Sequence, residues 1–386
     1  MKSNYNQLGQ YIEMVSRTNS DLKYGIEDVR GCSNTKQMMQ TRANLIGRTY
    51  EKFIVLRPQE FVFNRRTTRN GEKIGMAYNN TDREYIFTND YVAFRVKQEY
   101  LDKLLPDYLY LFFCRDEFDR YARYKSTGSA TEFFNWEDMC AVPFEIPPMD
   151  FQQLVVNAYK VLNKRIETKQ KINDNLATQA LTLFSDFVSH LSKKLEQRKL
   201  GDVIASANTG GDAIQKVPIV DYDTGIKCAR VGDITNAREY ASWAFCNASK
   251  SVYDNYKLQA GDILVTRTAT LGITQYIAKD ISAVYNNGLI RLKVNDTNAL
   301  PLYIYWAMKT SDFSNYINQM NSATSVRPNM KIDYLLNYQL SIPSIEEQTQ
   351  FTNTVEPLMN AISLNNDEIL KLSEFQAIIL TTLSSR

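Results

Sequence analysis

Two long stretches of the chain carry apolar residues at helical spacing. Between residues 150 and 195, and again between 345 and 383, apolar side chains recur every three or four positions. Neither stretch has an interior glycine, and a helix of about 40 residues is roughly 60 Å long. Since one core does not need that length, the pattern predicts two spacer helices. Their predicted pairing seam consists of Val155, Leu162, Ile166, Ile172, Leu176, Leu183, Val355, Leu358, Ile362, Ile369, Leu372 and Ile379.

The charge of these stretches favours their pairing with each other. Residues 150–199 hold nine basic and five acidic groups, whereas residues 345–386 hold two basic and six acidic groups. The folded region between them lets the helices run antiparallel. Pro357 predicts a kink or a late start of the second helix, and Asn365 and Gln376 interrupt its apolar rhythm. Two alternatives stay open: each helix packs on its own domain, or each pairs with another chain.

An internal repeat with a period close to 195 residues organises the rest of the chain. Each copy contains a short apolar strand that ends in an arginine, a Leu-Pro helix start and a Ser-Ala-Thr loop. An Ile-Pro segment follows, which cannot be helical before its proline. The matching segments are 7–9 and 199–201, 61–65 and 263–267, 105–110 and 300–305, 129–131 and 322–324, and 146–148 and 342–344.

Both copies alternate β-type runs with short helical segments and glycine-containing turns, which predicts a mixed α/β (α+β) domain. The predicted fold is therefore two repeated globular domains separated by two long helices that form an antiparallel coiled coil. The predicted domains are 1–149 and 200–344, each followed by a spacer helix, at 150–199 and 345–386. Strand candidates are 53–56, 84–87, 91–96, 262–266, 274–278 and 289–294.

Composition and cysteine spacing narrow the class of protein. With 386 residues, 44% of them hydrophobic, the chain can fill more than one core. It lacks the roughly 18 consecutive apolar residues of a membrane span, so we expect a cytoplasmic protein. The five cysteines lie far apart in sequence, which argues against a structural zinc site or a disulfide framework.

Basic residues are concentrated in one stretch, although the net charge of the whole chain is only +2. Residues 30–73 hold ten basic against three acidic residues. Charge alone does not decide between a phosphate-facing surface and a solvated basic face without a partner. The ten basic residues are Arg30, Lys36, Arg42, Arg48, Lys52, Arg57, Arg65, Arg66, Arg69 and Lys73.

The order of these parts resembles the specificity subunit of type I restriction-modification systems over essentially the whole length. In that family each conserved helix is entered through an Ile-Pro segment followed by a Glu-Gln pair. Residues 342–348 fit this pattern well, whereas residues 146–152 keep the glutamine but have Phe151 in place of the glutamate. Segments 230–234 and 260–264 are also similar to segments frequent in the family.

The resemblance implies a subunit without catalysis of its own. Each target-recognition domain would read one half of a bipartite site in double-stranded DNA, and the paired helices would set the half-site spacing. The helices would also dock two methyltransferase subunits, which bind S-adenosylmethionine and flip the target adenine. Restriction subunits that use ATP and Mg would join this core. The resemblance implies no cofactor and no metal in the specificity subunit itself.

Candidate base-reading residues follow from the hydrogen-bonding code of the major groove. Arginine suits guanine edges, and amides and hydroxyls suit other edges, although most such contacts in complexes go to phosphate. The loops after the repeated strand and before the Ile-Pro segment carry these residue types. The candidates are Arg65, Arg66, Thr67, Thr68, Arg69, Asn70, Lys125, Thr127, Ser129, Arg267, Thr268, Thr270, Ser322, Thr324 and Arg327.

Two other functions compete with this interpretation. An enzyme is disfavoured because the sequence has no Walker-type loop, no glycine-rich dinucleotide turn and no Asn-Pro-Pro-aromatic segment. The triplet Glu167-Thr168-Lys169 has the letters of a nuclease site but falls on a spacer helix, and His190 closes no triad. The second rival is a coiled-coil scaffold that binds proteins and not DNA. Its binding would not weaken steeply with salt, whereas binding to phosphates would.

Overall fold

The structure is a computed structural model in which the chain divides into two compact units. It describes residues 6–41, 45, 47–67, 73–128, 131–191, 197–210, 219–323 and 329–383, with backbone alone for 320–323. The first unit comprises Met1–Arg165 with Leu372–Arg386, and the second comprises Ile166–Lys371. Each unit therefore takes one globular repeat and part of both long stretches. The predicted domain boundaries stay a prediction.

The first unit is built on an antiparallel sheet of four strands. Its strands are β1 (Ile12–Val15), β2 (Arg30–Cys32), β3 (Met38–Gln40), β4 (Ile54–Leu56), β5 (Phe61–Asn64), β6 (Met76–Tyr78), β7 (Tyr85–Phe87) and β8 (Tyr91–Val96). The main sheet has the order β1-β8-β5-β6, while β2 pairs with β3 and β4 with β7. Phe61 lies opposite Phe94 in the β5–β8 ladder, and their rings stack 5.0 Å apart.

Three short helices cover the main sheet of the first unit: α1 (Pro106–Phe113), α2 (Asp116–Lys125) and α3 (Trp136–Cys140). The apolar face of α1 packs onto the sheet, so that Leu109 and Phe113 are fully buried beside Phe61. Burial of such aromatic side chains contributes roughly 1.5–3 kcal/mol each to folding. The core of this unit is thus aromatic and lies between the sheet and α1.

The second unit repeats the plan. Its strands are β9 (Gln197–Lys199), β10 (Ile204–Thr209), β11 (Ile219–Val220), β12 (Lys227–Ala229), β13 (Ala244–Cys246), β14 (Ile263–Thr266), β15 (Thr274–Tyr276), β16 (Ala283–Tyr285), β17 (Leu289–Val294) and β18 (Gln339–Ser341). The main sheet has the order β10-β17-β14-β15, which matches the first unit strand for strand. A second sheet, β11-β13-β12-β16, contains the parallel pair β12–β16.

The helices of the second unit are α5 (Val231–Thr235), α6 (Lys250–Tyr256), α7 (Pro301–Ala307), α8 (Ser311–Ala323) and α9 (Ile332–Leu336). Helix α7 begins as α1 does, with a leucine at the N-cap and a proline at the first helical position. Proline is favoured there because its missing N–H would have no helical partner anyway. The mixed α/β class and the repeat are therefore confirmed, and every strand candidate overlaps an observed strand.

Both long stretches are helical, as predicted. Helix α4 runs over Met149–His190 and α10 over Ile345–Thr382. Helix α10 begins at Ile345 and continues through Pro357, so the late start is wrong. Its first turn is capped reciprocally by Ser344 and Glu347, whose backbone N–H groups and side-chain oxygens bond each other at 2.9 and 3.3 Å. This cap makes the late start unnecessary.

A buried glutamine joins each long helix to its globular repeat. The amide of Gln152 accepts a hydrogen bond from the backbone N–H of Leu105 at 2.9 Å and donates to the carbonyl of Pro147 at 2.8 Å. Gln348 accepts from the Leu300 N–H at 2.8 Å and donates to the preceding proline carbonyl at 2.9 Å. The glutamine of the Ile-Pro motif therefore fixes the angle between each long helix and the helix that begins with Leu-Pro.

Phe151 explains why the first copy tolerates the loss of the motif glutamate. Its ring packs edge-on against Tyr108, with the centroids 6.4 Å apart. An apolar contact thus replaces the cap that Glu347 forms in the second copy. The departure from the family pattern changes how the helix start is held and leaves the glutamine anchor in place.

Within the second unit, α4 and α10 run antiparallel. Phe184, near the end of α4, packs against Phe351, near the start of α10, with ring centroids 5.2 Å apart. Towards the middle, Lys169 donates to Asn365 at 2.8 Å and pairs with Glu368 at 2.8 Å. The order of contacts along the two helices is opposite, which confirms the predicted pairing.

Near Lys169, the contact between α4 and α10 is polar. Ile172 was predicted to lie in the apolar seam, but its side chain is 40% exposed. Asn173 takes the inward position, where it accepts a hydrogen bond from the Asn365 amide at 2.8 Å and donates to Asn366 at 2.6 Å. The other predicted seam residues of the second unit are buried or half-buried: Ile166, Leu176, Leu183, Val355, Leu358, Ile362 and Ile369.

In the first unit, the start of α4 meets the end of α10. Val155 is buried in the core that also contains Leu383, and Ile379 packs against that core. Leu372 is buried and Leu162 half-buried. The Arg115 guanidinium donates to the Leu383 carbonyl at 3.0 Å. The predicted seam positions of this unit therefore all face protein.

Candidate nucleic-acid interface

The first unit brings its two predicted loops together. The segment that follows β5 pairs with the segment before α3, since the Arg65 carbonyl accepts from the Phe134 N–H at 2.9 Å and the Glu132 carbonyl accepts from the Thr67 N–H at 3.0 Å. Thr127, two residues after the end of α2, pairs with Phe133 through both backbone groups at 2.9 and 3.2 Å. A three-stranded arrangement of loops results, which the sequence did not reveal.

This loop cluster presents cations and an aromatic side chain to solvent. Arg65 is exposed, with its guanidinium 6.0 Å from the centroid of the Phe133 ring. Lys125 lies 5.9 Å from the Tyr124 ring, and Tyr124 is 83% exposed. Arg66 pairs with Asp90 at 3.6 Å, both side chains being about 60% exposed. An exposed pair of this kind is worth little and exchanges readily.

Thr67 cannot read a base, so this part of the prediction is wrong. Its side chain is fully buried, and its hydroxyl donates to the Glu132 carbonyl at 3.3 Å. Its own carbonyl accepts from Arg123 at 3.4 Å. Thr127, in contrast, is exposed.

The second unit has the equivalent loop after β14. The Arg267 carbonyl accepts from the Met330 N–H at 2.8 Å, as the Arg65 carbonyl does from Phe134 in the first unit. Thr268 forms a bridge with Asn329. The Arg267 side chain, however, donates to the carbonyls of Met330 at 3.1 Å and of Asn287 at 3.4 Å. Backbone carbonyls thus hold Nε and one Nη of this half-buried guanidinium. Its contact with DNA stays a prediction.

The loop after β14 is tight and ordered by its own hydrogen bonds. Thr266 accepts from Gly272 through its carbonyl and from Ile273 through its hydroxyl, each at 2.9 Å. Ala269 and Gly272 both have left-handed backbone angles, with φ of 63° and 76°. Thr268 is half-buried and Thr270 exposed. A cleft of about 590 Å³ beside the loop is lined by Ala269, Thr270, Leu271, Gly272, Ile273, Ser314, Ile317 and Asn318.

The remaining candidates lie outside the described residues. They are Thr68, Arg69, Asn70, Ser129, Thr324, Arg327 and the side chain of Ser322. Whether they contact bases stays a prediction.

Some basic residues of the stretch 30–73 pair with acids from elsewhere in the chain. Lys36 is buried and pairs with Asp119, and burial lowers the pKa of Lys36 below its ordinary value. Arg57 pairs with Glu84 at 3.1 Å, and Lys73 pairs with Asp116 at 3.4 Å. Burial removes Lys36 from the surface, whereas Arg57 and Lys73 remain in exposed ion pairs. Lys36 in particular belongs to the core.

The sequence reasoning missed Tyr124 and Phe133. Both aromatic rings lie beside candidate cations. For Tyr124, the available sequence signal was an aromatic residue next to a lysine at the end of a short helix. In the second unit it missed Asn287, whose carbonyl holds Arg267, and Asn318, which lines the cleft. These positions become neighbours only through the sheet and the helix that follows it.

Lys169 and His190, which were considered as catalytic residues, form contacts of the long helices. Lys169 belongs to the polar contacts between α4 and α10. His190 is exposed near the end of α4, with Nδ1 2.7 Å from the Asp186 carbonyl one turn earlier. In the part of the chain that the structure describes, no three His, Cys, Asp or Glu residues are grouped to hold a metal ion.

Among the described residues, no helix combines the length and the apolar content that crossing a membrane requires.

Comparison with known proteins agrees with this architecture. The crystal structure of the type I restriction-modification system S subunit from M. genitalium matches with a TM-score of 0.51 and 14% identity, over 98% of this chain and 96% of that one. This likeness shows the fold. A crystal structure of the HsdS subunit from Thermoanaerobacter tengcongensis matches at 15% identity with a TM-score of 0.35, over 98% and 95% of the two chains.

A third solved structure, described as showing complex assembly and conformational transition of the type I R-M system, matches at 14% identity with a TM-score of 0.41, over 98% and 96%. A search of curated proteins found no match. The family model described as type I restriction modification DNA specificity domain matches residues 33–178 and 192–374. Because these two segments cover most of the sequence and fall once in each repeat, the chain belongs to the family of type I restriction-modification DNA specificity proteins.

Proposed function

We propose that this chain is a non-catalytic specificity subunit whose two recognition domains each read one half of a bipartite DNA site. The observation that carries the proposal is the recurrence of one loop arrangement. In each unit, the residue after the third strand of the sheet order accepts a backbone hydrogen bond from a later loop, at Arg65 in the first and Arg267 in the second. Because equivalent loops lie at equivalent strand ends, we infer that both units bind DNA through these loops.

The exposed and half-buried polar groups of these loops are suited to contact with a duplex. In the first unit, Arg65, Arg66 and Lys125 supply positive charge, which binds phosphates and, for arginine, guanine edges. In the second, Thr268 and Thr270 supply hydroxyl groups beside a cleft. Two such domains joined by long helices could contact two groove faces roughly 34 Å apart, one turn of the duplex. The helices would then set the half-site spacing.

The long helices also offer surface for partners. Leu154 and Val161 are 68% and 66% exposed on α4, and their seven-residue spacing puts them on one helix face. Phe375 and Ile378 are similarly exposed on α10. Exposed apolar side chains that share one helix face are suited to protein contact. They support docking of two methyltransferase subunits.

In this assembly the chemistry lies outside the chain. The methyltransferase subunits would bind S-adenosylmethionine and flip the target adenine, and restriction subunits would use ATP and Mg. This chain would bring no cofactor of its own. Its residues would hold the duplex in register while the partners act on it.

Exchange of one recognition domain tests the proposal. The chain is co-expressed with its methyltransferase subunits, and the host's methylated sequences are compared with those obtained when residues 200–344 come from another member of the family. We expect a split methyladenine motif in which only one half changes. A stable complex that yields no split motif would contradict the proposal and favour a scaffold that binds proteins alone.

A further inference from the structure

Arg65 and Arg267 occupy the same place in the two repeats. Arg65 directly follows β5 and Arg267 directly follows β14, which are equivalent in the two sheet orders. Each accepts through its carbonyl one hydrogen bond from a later loop, from Phe134 at 2.9 Å and from Met330 at 2.8 Å. Their backbone positions alone would predict the same role for the two arginines.

Their side chains differ. The Arg267 guanidinium donates to the carbonyls of Met330 at 3.1 Å and of Asn287 at 3.4 Å, so its Nε and one Nη point at main-chain oxygens. Met330 is fully buried, and a buried carbonyl that loses its donor destabilises the fold. Arg267 thus closes the loop after β14 onto the loop that follows α8.

The Arg65 guanidinium is exposed and lies 6.0 Å from the Phe133 ring. An aromatic face restrains a guanidinium and leaves its N–H donors directed outward. Lys125 follows exposed Tyr124 in the same loop cluster. Arg65 is therefore placed to meet a polyanion, whereas Arg267 is placed to hold a loop.

The geometry points to a division of labour between these equivalent arginines: Arg65 contacts DNA phosphate, and Arg267 is a positioning residue that does not touch DNA. This inference rests on the proposed function, because it presupposes that the loop clusters face a duplex. It explains how a repeated scaffold reads its two half-sites with different chemistry, a cationic surface in one domain and a hydroxyl-bearing loop in the other.

Salt dependence distinguishes the two roles. The full chain, purified with its methyltransferase subunits, is titrated onto a mixed-sequence 40-base-pair duplex at several salt concentrations, and the variants R65Q and R267Q are compared with it. Each phosphate contact contributes about 0.9 to the slope of log K against log salt. We expect R65Q to make the slope shallower by about 0.9 with an unchanged melting temperature. R267Q should lower the melting temperature and keep the slope.

Arg95 provides a matched control. It is a half-exposed arginine of β8 that pairs with Glu13 at 2.8 Å, away from the loop cluster. R95Q should change neither the slope of log K against log salt nor the melting temperature. The inference is overturned if R65Q keeps the native slope, or if R267Q folds and makes the slope shallower by as much as R65Q was expected to.

A measurement on the unaltered chain covers the case in which R267Q does not fold. Phenylglyoxal modifies accessible arginine side chains, and peptide mass spectrometry locates the adducts. Arg65 should react and be protected by the duplex, and Arg267 should stay unmodified with or without DNA. Reaction at Arg267 that the duplex blocks would overturn its positioning role. A native complex that binds no duplex at any salt concentration would instead remove the proposed function itself.

Discussion

Backbone carbonyls hold several of the basic side chains in this protein. Lys36 donates to the carbonyl of Ile74, Lys309 to that of Thr274, each at 2.8 Å, and Arg267 to that of Met330 at 3.1 Å. A cation engaged in this way inside a domain is not available to a ligand. Counting basic residues along the sequence therefore overestimates the surface that can bind phosphate.

The loop after β14 contains two left-handed positions with opposite tolerance. A Cβ added at Gly272 would lie 2.9 Å from the Ile317 side chain, and the φ of 76° is itself unfavourable for other residues. We expect Gly272→Ala to destabilise the second unit by about 2 kcal/mol. Ala269→Gly, at a φ of 63°, should be neutral or stabilising by about 1 kcal/mol. Melting temperatures check both, and a G272A variant as stable as the native chain would contradict the prediction.

Lys309 makes stability depend on pH in a defined window. Burial lowers the pKa of Lys309 from 10.5 to about 8. Between these two pKa values, Lys309 is protonated in the unfolded chain and deprotonated in the folded chain. The free energy of unfolding therefore increases as the pH rises through this range. The native chain should therefore become more stable relative to Lys309→Met between about pH 8 and 10.5.

Denaturant unfolding of both proteins at pH 7, 8, 9 and 10 measures the difference. The variant Lys331→Met, which changes an exposed lysine of the same unit, serves as the control. A constant difference between native chain and K309M over this range would show that Lys309 keeps its proton on folding.

At the scale of elements, the long helices and several strands could be predicted because their patterns are local. Three-and-four spacing specified α4 and α10, and alternating β-branched and aromatic runs specified β8 and β17 over their full lengths. The polar middle of the helix pair could not be predicted at Ile172, because Asn173 and Asn365 satisfy each other only when the helices are paired. A heptad pattern by itself favours an apolar seam.

The Asn173–Asn365 contact should behave as a coupled pair. Asn365→Leu leaves the half-buried amide of Asn173 without one hydrogen-bond donor and should destabilise the second unit by about 1–3 kcal/mol. The double variant with Asn173→Leu should recover part of that loss, because replacing both polar partners by apolar groups is often neutral. A double-mutant cycle should give a coupling energy of about 1 kcal/mol, with exposed Asn360→Leu as the control. Strict additivity would mean that the contact contributes nothing.

At the scale of the whole molecule, two compact units each combine a recognition domain with parts of both long helices. The family model matches the chain in two segments, 33–178 and 192–374. Each segment covers most or all of one repeat and part of the long helix that follows it. Proteins built this way place function on loops and use the helices as rigid supports. In the proposed function, the exposed helix faces are the surfaces on which partners dock.

Association with methyltransferase subunits should depend on the exposed apolar face of α4. The double variant Leu154→Asp with Val161→Asp should weaken co-purification of the methyltransferase subunits at least tenfold, because two charges would have to be buried at the contact. Its melting temperature should stay near the native value, since both side chains are in solvent. Gln170→Asp adds charge at an exposed position about half a turn round the same helix. Equal recovery of partner with all three proteins would argue against docking on this face.

The sequence alone determined the repeat, the mixed α/β class and the two long helices, because each rests on spacing within a few residues or on one segment copied at a fixed interval. Only the tertiary structure decided which candidates face solvent. Thr67 turned inward, Lys36 joined the core, and Arg267 closed a loop while Arg65 stayed exposed. These outcomes depend on carbonyls and carboxylates distant in sequence, which no local pattern encodes.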